Sequence, residues 1–536
     1  MNHNLAVRSI ALSMATLGVG ALLTACGSGS DNDNDPVAEA PTTLQARCEM
    51  LADEALPNQK FSVVEANDTG SFQATPDARA ITDLPPFCRV AATLTPTSDS
   101  NIRVEVWMPE DWNGKFLGTG NGGLAGSIQY APLAAGLKRG YAVANTDMGT
   151  SPSIDVMVGV PEKWVDYGHR STHLMTTLGK QLVNAFYEQA PRYSYFHGCS
   201  TGGGQGFHEA QRYPEDYNGI IAGAPGNYRT AVHTSILWNY TSTRGAQSLS
   251  STKLALLKKA AVAACDGDDG VVDGIISRPD LCTFTPETLQ CTGEENDDCL
   301  TSAQVEGATK VYAGITNAVT GERYHDGLPP GSEQGGWNFG VIAPTVPNVP
   351  FAQLFQTVFG TAWTYDQFDF ADDLQTMDNT LGPMVNAIDP DLRQFRDAGG
   401  KIIHFQGMAD GVQPYTMSQK IWDRVEAIMP GQSSQFARLF NAPGMAHCSG
   451  GDGPNVFGNE LDNPFAGDPN RDLLTALEAW VETDVAPDNL IATKFVDNRV
   501  TNDVEMTRPL CAYPKVLKYN GTGNPNVEDS FTCAAP

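Results

Sequence analysis

With 536 residues the chain has room for roughly two to four domains, or for one large domain carrying an insertion, and its 41% hydrophobic content is that of a globular protein with a sizeable core. A formal net charge of -28 excludes binding of DNA, RNA or an acidic membrane surface through a basic face, and it disfavours a polyanionic substrate. The same charge fits solubility outside the cell.

The N-terminus reads as a targeting segment. Arg8 and the free amine give a positive start, and Ile10 to Leu23 is apolar but too short for a comfortable membrane span. It ends in Leu23-Thr24-Ala25-Cys26, which resembles a bacterial lipoprotein box. Residues 1–26 are therefore expected to be a lipoprotein signal, with Cys26 lipidated. Gly27 and Ser28 follow without an aspartate, so inner-membrane retention is not indicated; outer membrane, periplasm or the exterior is expected. Residues 27–45, rich in Gly, Ser, Asp, Asn and Pro, read as a flexible tether. No other stretch is long and apolar enough to span a bilayer.

The next part is β-rich. Arg103-Val104-Glu105-Val106-Trp107-Met108 alternates like a strand, and Lys115-Phe116-Leu117 precedes a glycine-rich loop. Gly140 to Ala144 suits a buried strand. His173 to Glu188 has helical spacing, with Leu174, Leu178, Leu182 and Phe186 on one face. Tyr193 to His197 is a strand candidate, followed by a turn, a helix to about Tyr213, and a strand from Asn218 to Ala222. This alternation predicts an α/β domain with a mostly parallel sheet. The rhythm breaks after about Asn227 and returns at Lys401-Ile402-Ile403-His404-Phe405. Residues 228–390, with a helix around Leu254 to Ala264 and a long Pro/Gly/aromatic stretch, read as an insertion. Residues 46–227 and 391–536 then form the two parts of one catalytic domain.

Of the 11 cysteines, assigning Cys26 to lipid leaves ten, an even number: Cys48, Cys88, Cys199, Cys265, Cys282, Cys291, Cys299, Cys448, Cys511 and Cys533. Export permits five disulfides, whose connectivity the residues alone leave open. No CxxC pair or His/Cys cluster has zinc-ligand spacing.

The turn after the strand at 193–197 contains Gly198-Cys199-Ser200-Thr201-Gly202, a G-x-S-x-G pattern. A serine at a sharp strand-to-helix turn projects its hydroxyl from the sheet edge, and a helix N-terminus lies under the charge that develops there. No Gly-Lys-Ser/Thr follows, so a phosphate-binding loop is not expected. Such a serine needs a base, and the base an orienting carboxylate. Asp410, reached from Phe405 through Gln406-Gly407-Met408-Ala409, and His447, in Ala442-Pro443-Gly444-Met445-Ala446-His447-Cys448, follow in the order Ser, acid, His found in α/β-hydrolases. His197 and His208 read as packing or surface residues, and His404, inside a strand candidate, as a core residue or one that supports the site from behind. Asp452 falls after the histidine and breaks the order. The oxyanion donors are expected to be the N–H of Thr201 and one from Gly118-Thr119-Gly120-Asn121-Gly122-Gly123, with Gly123 preferred.

Cys199-Ser200, Asp410 and His447-Cys448 resemble the CS-D-HC motif of the tannase and feruloyl esterase family, and the resemblance runs from about Arg47 to the C-terminus. It implies an α/β-hydrolase fold with a large inserted lid domain at residues 228–390. It implies a Cys199–Cys448 disulfide pinning the base and nucleophile loops together, and the pairs Cys48–Cys88, Cys265–Cys282, Cys291–Cys299 and Cys511–Cys533. Cys265-Asp266-Gly267-Asp268-Asp269-Gly270-Val271-Val272-Asp273-Gly274-Ile275 is similar to the family's calcium loop. The implied ligands of a structural calcium are the side chains of Asp266, Asp269 and Asp273 and the carbonyls of Val271 and Ile275.

The implied activity is that of a serine carboxylesterase forming an acyl-enzyme with aromatic acid esters, feruloyl (hydroxycinnamoyl) or galloyl. The lid is the expected specificity element, with Trp337, Phe339, Phe351 and Phe355, and also Phe359, Trp363 and Tyr365, walling an aromatic slot. An alternative is an enzyme like the family's mono(2-hydroxyethyl) terephthalate hydrolase, which holds a free carboxylate with a lid arginine. No Arg or Lys lies between Arg323 and Arg393, so a neutral aromatic ester is the expected substrate unless a cation from elsewhere substitutes. Two other readings share the scaffold: a ligand-binding lipoprotein without catalysis, and a serine peptidase. A small aromatic ester is the expected partner, with no nucleic acid and membrane contact only through the lipid anchor. No oligomeric state follows.

Overall fold

The computed structural model describes residues 43–53, 58–124, 126–318, 320–321, 323–337, 341 and 350–536. The expected signal, Cys26 and most of the tether lie outside the described residues, and so does Phe339. Nine strands form one sheet, the parallel ones mostly short apolar runs: β1 (Gln59–Asn67), β2 (Phe87–Leu94), β3 (Ile102–Pro109), β4 (Lys115–Thr119), β5 (Ala142–Thr146), β6 (Tyr193–Cys199), β7 (Gly219–Gly223), β8 (Lys401–Gly407) and β9 (Ala437–Ala442). Their spatial order is β1-β2-β3-β5-β4-β6-β7-β8-β9. From β5 to β9 every pairing is parallel; β1, β2 and β3 join antiparallel at one side. The sheet is thus mostly parallel, as the alternation predicts.

The parallel strands are buried on both sides, and period-two alternation sorts their residues between two cores. Ala142, Ala144, Ile220, Ala222 and Ile402 face one, with helices α2 (Ser171–Tyr187), α3 (Thr201–Arg212) and α8 (Tyr415–Ile428) packed over them. Val143, Tyr195, Ile221, Ile403 and Phe405 face the other, under α1 (Tyr130–Lys138) and α9 (Leu473–Thr483). The expected helical face Leu178, Leu182 and Phe186 of α2 is in the first core.

Between β7 and β8 the chain makes α4 (Arg229–Ser242), α5 (Ser251–Cys265), α6 (Ser302–Ala313) and α7 (Ala352–Phe359). These residues share a core with the loops that follow β4 and β5: Leu237, Tyr240, Leu354 and Phe355 pack with Leu124, Met148, Trp164 and Tyr167. Residues 43–536 cluster as one unit, the insertion included. All five implied disulfides are present. Beyond the sheet, two antiparallel ribbons, Asn489–Phe495 with Val504–Cys511 and Val516–Tyr519 with Phe531–Ala534, close the chain. Among the described residues no helix is long and apolar enough to cross a membrane.

Because β4, β6, β7, β8 and β9 run parallel, the loops after them emerge at one sheet edge. Those loops carry Gly123, Ser200, Arg229, Asp410 and His447. This is the edge where open α/β sheets bind ligands.

Candidate active site

β6 ends at Cys199 and α3 begins at Thr201, which leaves Ser200 alone to turn the chain, at φ 60° and ψ -117°. A non-glycine residue held there is strained and persists only where its surroundings fix it. Here the Ser200 N–H donates to the Gly223 carbonyl at 2.9 Å, and its own carbonyl accepts from Gly226 at 2.9 Å and Gly204 at 3.1 Å. The flanking glycines are a steric requirement. A Cβ on Gly198 would stand 2.6 Å from the Gly202 carbonyl carbon, and one on Gly203 would stand 2.2 Å from the Gly223 oxygen.

The Ser200 Oγ lies 2.9 Å from His447 Nε2, and His447 Nδ1 lies 2.7 Å from Asp410 Oδ2. Asp410 is fully buried. Its Oδ1 accepts the N–H groups of Val412 at 2.8 Å and Gln413 at 2.9 Å, and Oδ2 also accepts from Gln406 Nε2 at 2.9 Å. With four donors the carboxylate is satisfied and immobile, and the bond to Nδ1–H selects the tautomer whose Nε2 accepts from serine. Burial works against a charged His447, but the charge and hydrogen bond of Asp410 outweigh it and raise its pKa above the ordinary 6.5. Cys448, at φ 65°, is bonded to Cys199, so the loops carrying base and hydroxyl are covalently joined. A hydroxyl, a base and a buried acid in this relation can carry out nucleophilic acyl transfer.

Thr201 Oγ1 donates to the Gly123 carbonyl at 2.6 Å, and Tyr167 Oη donates to the same oxygen at 3.1 Å. These bonds hold the two expected oxyanion donors side by side. The Thr201 N–H heads α3, where a helix offers it no partner. Neither N–H bonds any described residue.

His197, His208 and His404 are buried. His404, fully buried, accepts from Trp422 Nε1 at 3.0 Å, and burial pushes its pKa down to about 3. Burial likewise holds His197 near 4 and His208 far below its ordinary value. Asp452 pairs with Lys258 Nζ at 2.6 Å. The aromatic slot needs correction. Trp337 is 1% exposed, donates to Ser332 Oγ at 2.8 Å and packs on Tyr312, and Phe355 is stacked on Trp363 with no exposure. Both rings are consumed by cores of the insertion, because apolar area there has no other cover. Phe351, half-buried, is in edge contact with His233 of α4 at 4.9 Å, and Tyr365 packs on Tyr240 of the same helix at 5.1 Å.

In the acidic loop Asp266 accepts the N–H groups of Asp273 at 3.0 Å, Gly274 at 2.9 Å and Ile275 at 3.2 Å. Burial raises the pKa values of Asp269 and Asp273, with a contribution from the neighbouring carboxylates, although Arg508 pairs with Asp273 at 2.6 Å. Hard oxygen donors crowded against their own charge fit a divalent cation. Among the described residues the group of three whose ligand atoms all lie within 4.8 Å is instead His173, Glu209 and Asp216. There His173 Nδ1 meets Asp216 Oδ2 at 2.6 Å, the Lys180 amine donates to the Asp216 carbonyl, and burial raises the Glu209 pKa well above its ordinary value.

The sequence reading missed Gln406, Tyr167 and Arg229. Gln406 and Tyr167 act through contacts with Asp410 and Gly123 that no motif encodes. Arg229, in the first turn of α4, is 6% exposed and its charge reaches His447.

The family model described as tannase and feruloyl esterase matches residues 88–534. An uncharacterized esterase of Xanthomonas campestris is 35% identical over 92% of this chain and 92% of its own length. A probable feruloyl esterase B-2 of Aspergillus oryzae is 33% identical over 92% of this chain and 96% of its own. The crystal structure of feruloyl esterase B from Aspergillus oryzae superposes with a TM-score of 0.85 at 30% identity, covering 92% of this chain and all of that one.

Ser200→Ala is expected to abolish ester turnover with the melting temperature unchanged, and Asp410→Asn to lower kcat by roughly four orders of magnitude. Substantial turnover by Ser200→Ala would remove Ser200 from the chemistry. Because His447 must be neutral to accept a proton, and Asp410 raises its pKa, kcat/KM should fall with decreasing pH through a value above 6.5. A pH profile flat down to 5 would contradict this.

Proposed function

The chain belongs to the tannase and feruloyl esterase family, and from that membership we propose that it hydrolyses carboxylic esters of aromatic acids, feruloyl or galloyl, through an acyl-enzyme on Ser200. The observation that carries this reading is the continuous hydrogen-bond chain from Asp410 through His447 to Ser200. His447 Nε2 takes the Ser200 proton as Oγ attacks the ester carbonyl. The N–H groups of Thr201 and Gly123 hold the oxyanion. Protonated His447 then delivers its proton to the leaving alcohol, and the same nitrogen activates the water that releases the acid.

Residues 228–390 serve as the lid of an α/β-hydrolase; the position of α4 to α7 after β7 supports this. A structural calcium is held by Asp266, Asp269, Asp273 and the carbonyls of Val271 and Ile275, supported by their donor chemistry and crowded charge. It takes no part in the acyl transfer. The protein is exported, with residues 1–26 as a lipoprotein signal and Cys26 as lipid anchor; five disulfides accord with an oxidising compartment.

Purified protein should hydrolyse methyl ferulate or methyl gallate and leave a peptide panel intact; peptide cleavage without ester turnover would replace this reading with a peptidase. For the metal, a chelator should lower the melting temperature and calcium should restore it. An identical melting curve in metal-free protein would dismiss the site.

A further inference from the structure

Glu209, on α3, is 1% exposed, and neither of its carboxylate oxygens receives an N–H or hydroxyl donor from the described residues. A buried carboxylate is ordinarily hydrogen-bonded, paired with a cation or bound to a metal. The Lys180 amine, whose charge reaches Glu209, donates to the Asp216 backbone carbonyl instead. What faces Glu209 is an imidazole and a second carboxylate. His173, Glu209 and Asp216 each offer one ligand atom, and these atoms all lie within 4.8 Å of one another.

The three residues come from different elements. His173 stands in the first turn of α2, Glu209 in the last turn of α3, and Asp216 in the loop from α3 to β7. His173 Nδ1 and Asp216 Oδ2 are 2.6 Å apart, and the His173 ring is stacked on Tyr213 at 4.0 Å, so the imidazole is held in one orientation. Tyr213 in turn bonds His169 Nδ1 through its hydroxyl at 2.7 Å. Ligating histidines are commonly oriented by neighbours in this way. The His173 and Asp216 side chains are 30% and 14% exposed, so an ion can enter from solvent and keep a water as fourth ligand. One imidazole nitrogen with two carboxylates suits zinc, whereas calcium and magnesium take oxygen ligands. His173 and Asp216 are 43 residues apart and meet only in the fold, which is why no zinc spacing shows in the sequence.

We propose that His173, Glu209 and Asp216 bind a zinc-class divalent cation, at a site separate from the acidic loop of Asp266, Asp269 and Asp273, and that the ion clasps α2 to the end of α3. The ion takes the place of the proton between His173 and Asp216 and supplies the positive charge that Glu209 lacks. Zinc holds nitrogen and oxygen ligands at about 2.0–2.2 Å, so neighbouring ligand atoms of a tetrahedral site stand about 3.4 Å apart. That spacing lies between the 2.6 Å of the His173–Asp216 pair and the 4.8 Å limit of the group. The competing occupant is a proton shared by Glu209 and Asp216, whose two carboxylates lie against each other. The helix that the ion would brace begins at Thr201, directly after Ser200, but none of the three ligands belongs to the acyl-transfer machinery. The inference therefore stands apart from the esterase reading.

The test is calorimetric titration of zinc into tag-free protein, stripped of metal and then kept in excess calcium so that the acidic loop cannot compete. One equivalent should bind, and zinc should raise the melting temperature, as any ligand of the folded state does. Glu209→Gln preserves the shape of the side chain and should weaken zinc binding by at least the roughly 10- to 100-fold that loss of even an outer-shell partner costs a metal site. His173→Asn, at a partly exposed position, should do the same and serves if the buried variant fails to fold. Asp266→Asn should leave the zinc equivalent in place. Absence of a zinc equivalent in the unaltered protein would overturn the proposal in favour of the shared proton. Unchanged zinc affinity in either Glu209→Gln or His173→Asn would overturn it too, as would loss of the equivalent in Asp266→Asn, which would assign the binding to the acidic loop. No arm of the experiment reads ester turnover, so its failure is distinct from failure to hydrolyse esters.

Discussion

Ser200 sits in a backbone conformation that a side chain seldom tolerates, and the packing around it is arranged to keep it there. Gly198 approaches Gly202 so closely that the strand has no room for a Cβ there, Gly202 faces Gly120 and Asn121 of the β4 loop, and Gly203 lies against the end of β7. The carbonyl of Ser200 is tied to Gly226 and its N–H to Gly223. The turn therefore fixes how β6, β7 and α3 meet. It also sets where the loop from β4 can lie, since Gly202 donates to Asn121 and Asn121 in turn receives Gln205. A strained residue costs on the order of 1–3 kcal/mol, and the hydrogen bonds and core contacts on all sides offset it.

This constraint explains what the sequence made legible. Residues whose identity is dictated by the turn are few and ordered along the chain: the glycines, Ser200, an acid after β8 and a histidine after β9. A reader of the linear chain can find them because sterics permit little else. The parallel strands from β4 to β8 were legible for a similar reason, being short apolar runs between breakers. β1, β2, β9 and the two closing ribbons were not singled out, because their alternation is mixed with polar residues and they pair with partners far along the chain. Gln406 was invisible because it acts through one amide at the end of a strand. Trp337 and Phe355 were misread because composition says that a ring is present and says nothing of the direction in which it points. Arg229 was not legible because an arginine beside a turn ordinarily lies in solvent, and its burial against Gly226 and Tyr167 is set by tertiary packing.

The insertion and the sheet share the aromatic core formed by Tyr167, Trp164, Leu237 and Phe355. Tyr167 belongs at once to that core, to the Gly123 carbonyl and to the Arg229 guanidinium. One phenol thus joins the packing of residues 228–390 to the Gly123 loop. Arg508 adds a second fastening, from a closing ribbon to Asp273 in the acidic loop, between side chains 3% and 6% exposed. Removing one member of such a buried pair typically costs about 3–5 kcal/mol, since the other charge is stranded.

The order of the cysteines has a consequence for how the chain is made. Four of the five bonds join cysteines that are neighbours in sequence, but Cys199–Cys448 spans 249 residues and encloses two of the others. In synthesis from the N-terminus Cys199 emerges before Cys265, Cys282, Cys291 and Cys299, and all four precede Cys448. An oxidase that pairs thiols as they arrive would trap Cys199 with the wrong partner. The native Cys199–Cys448 bond is therefore the one whose formation calls for reshuffling if thiols pair in order of arrival.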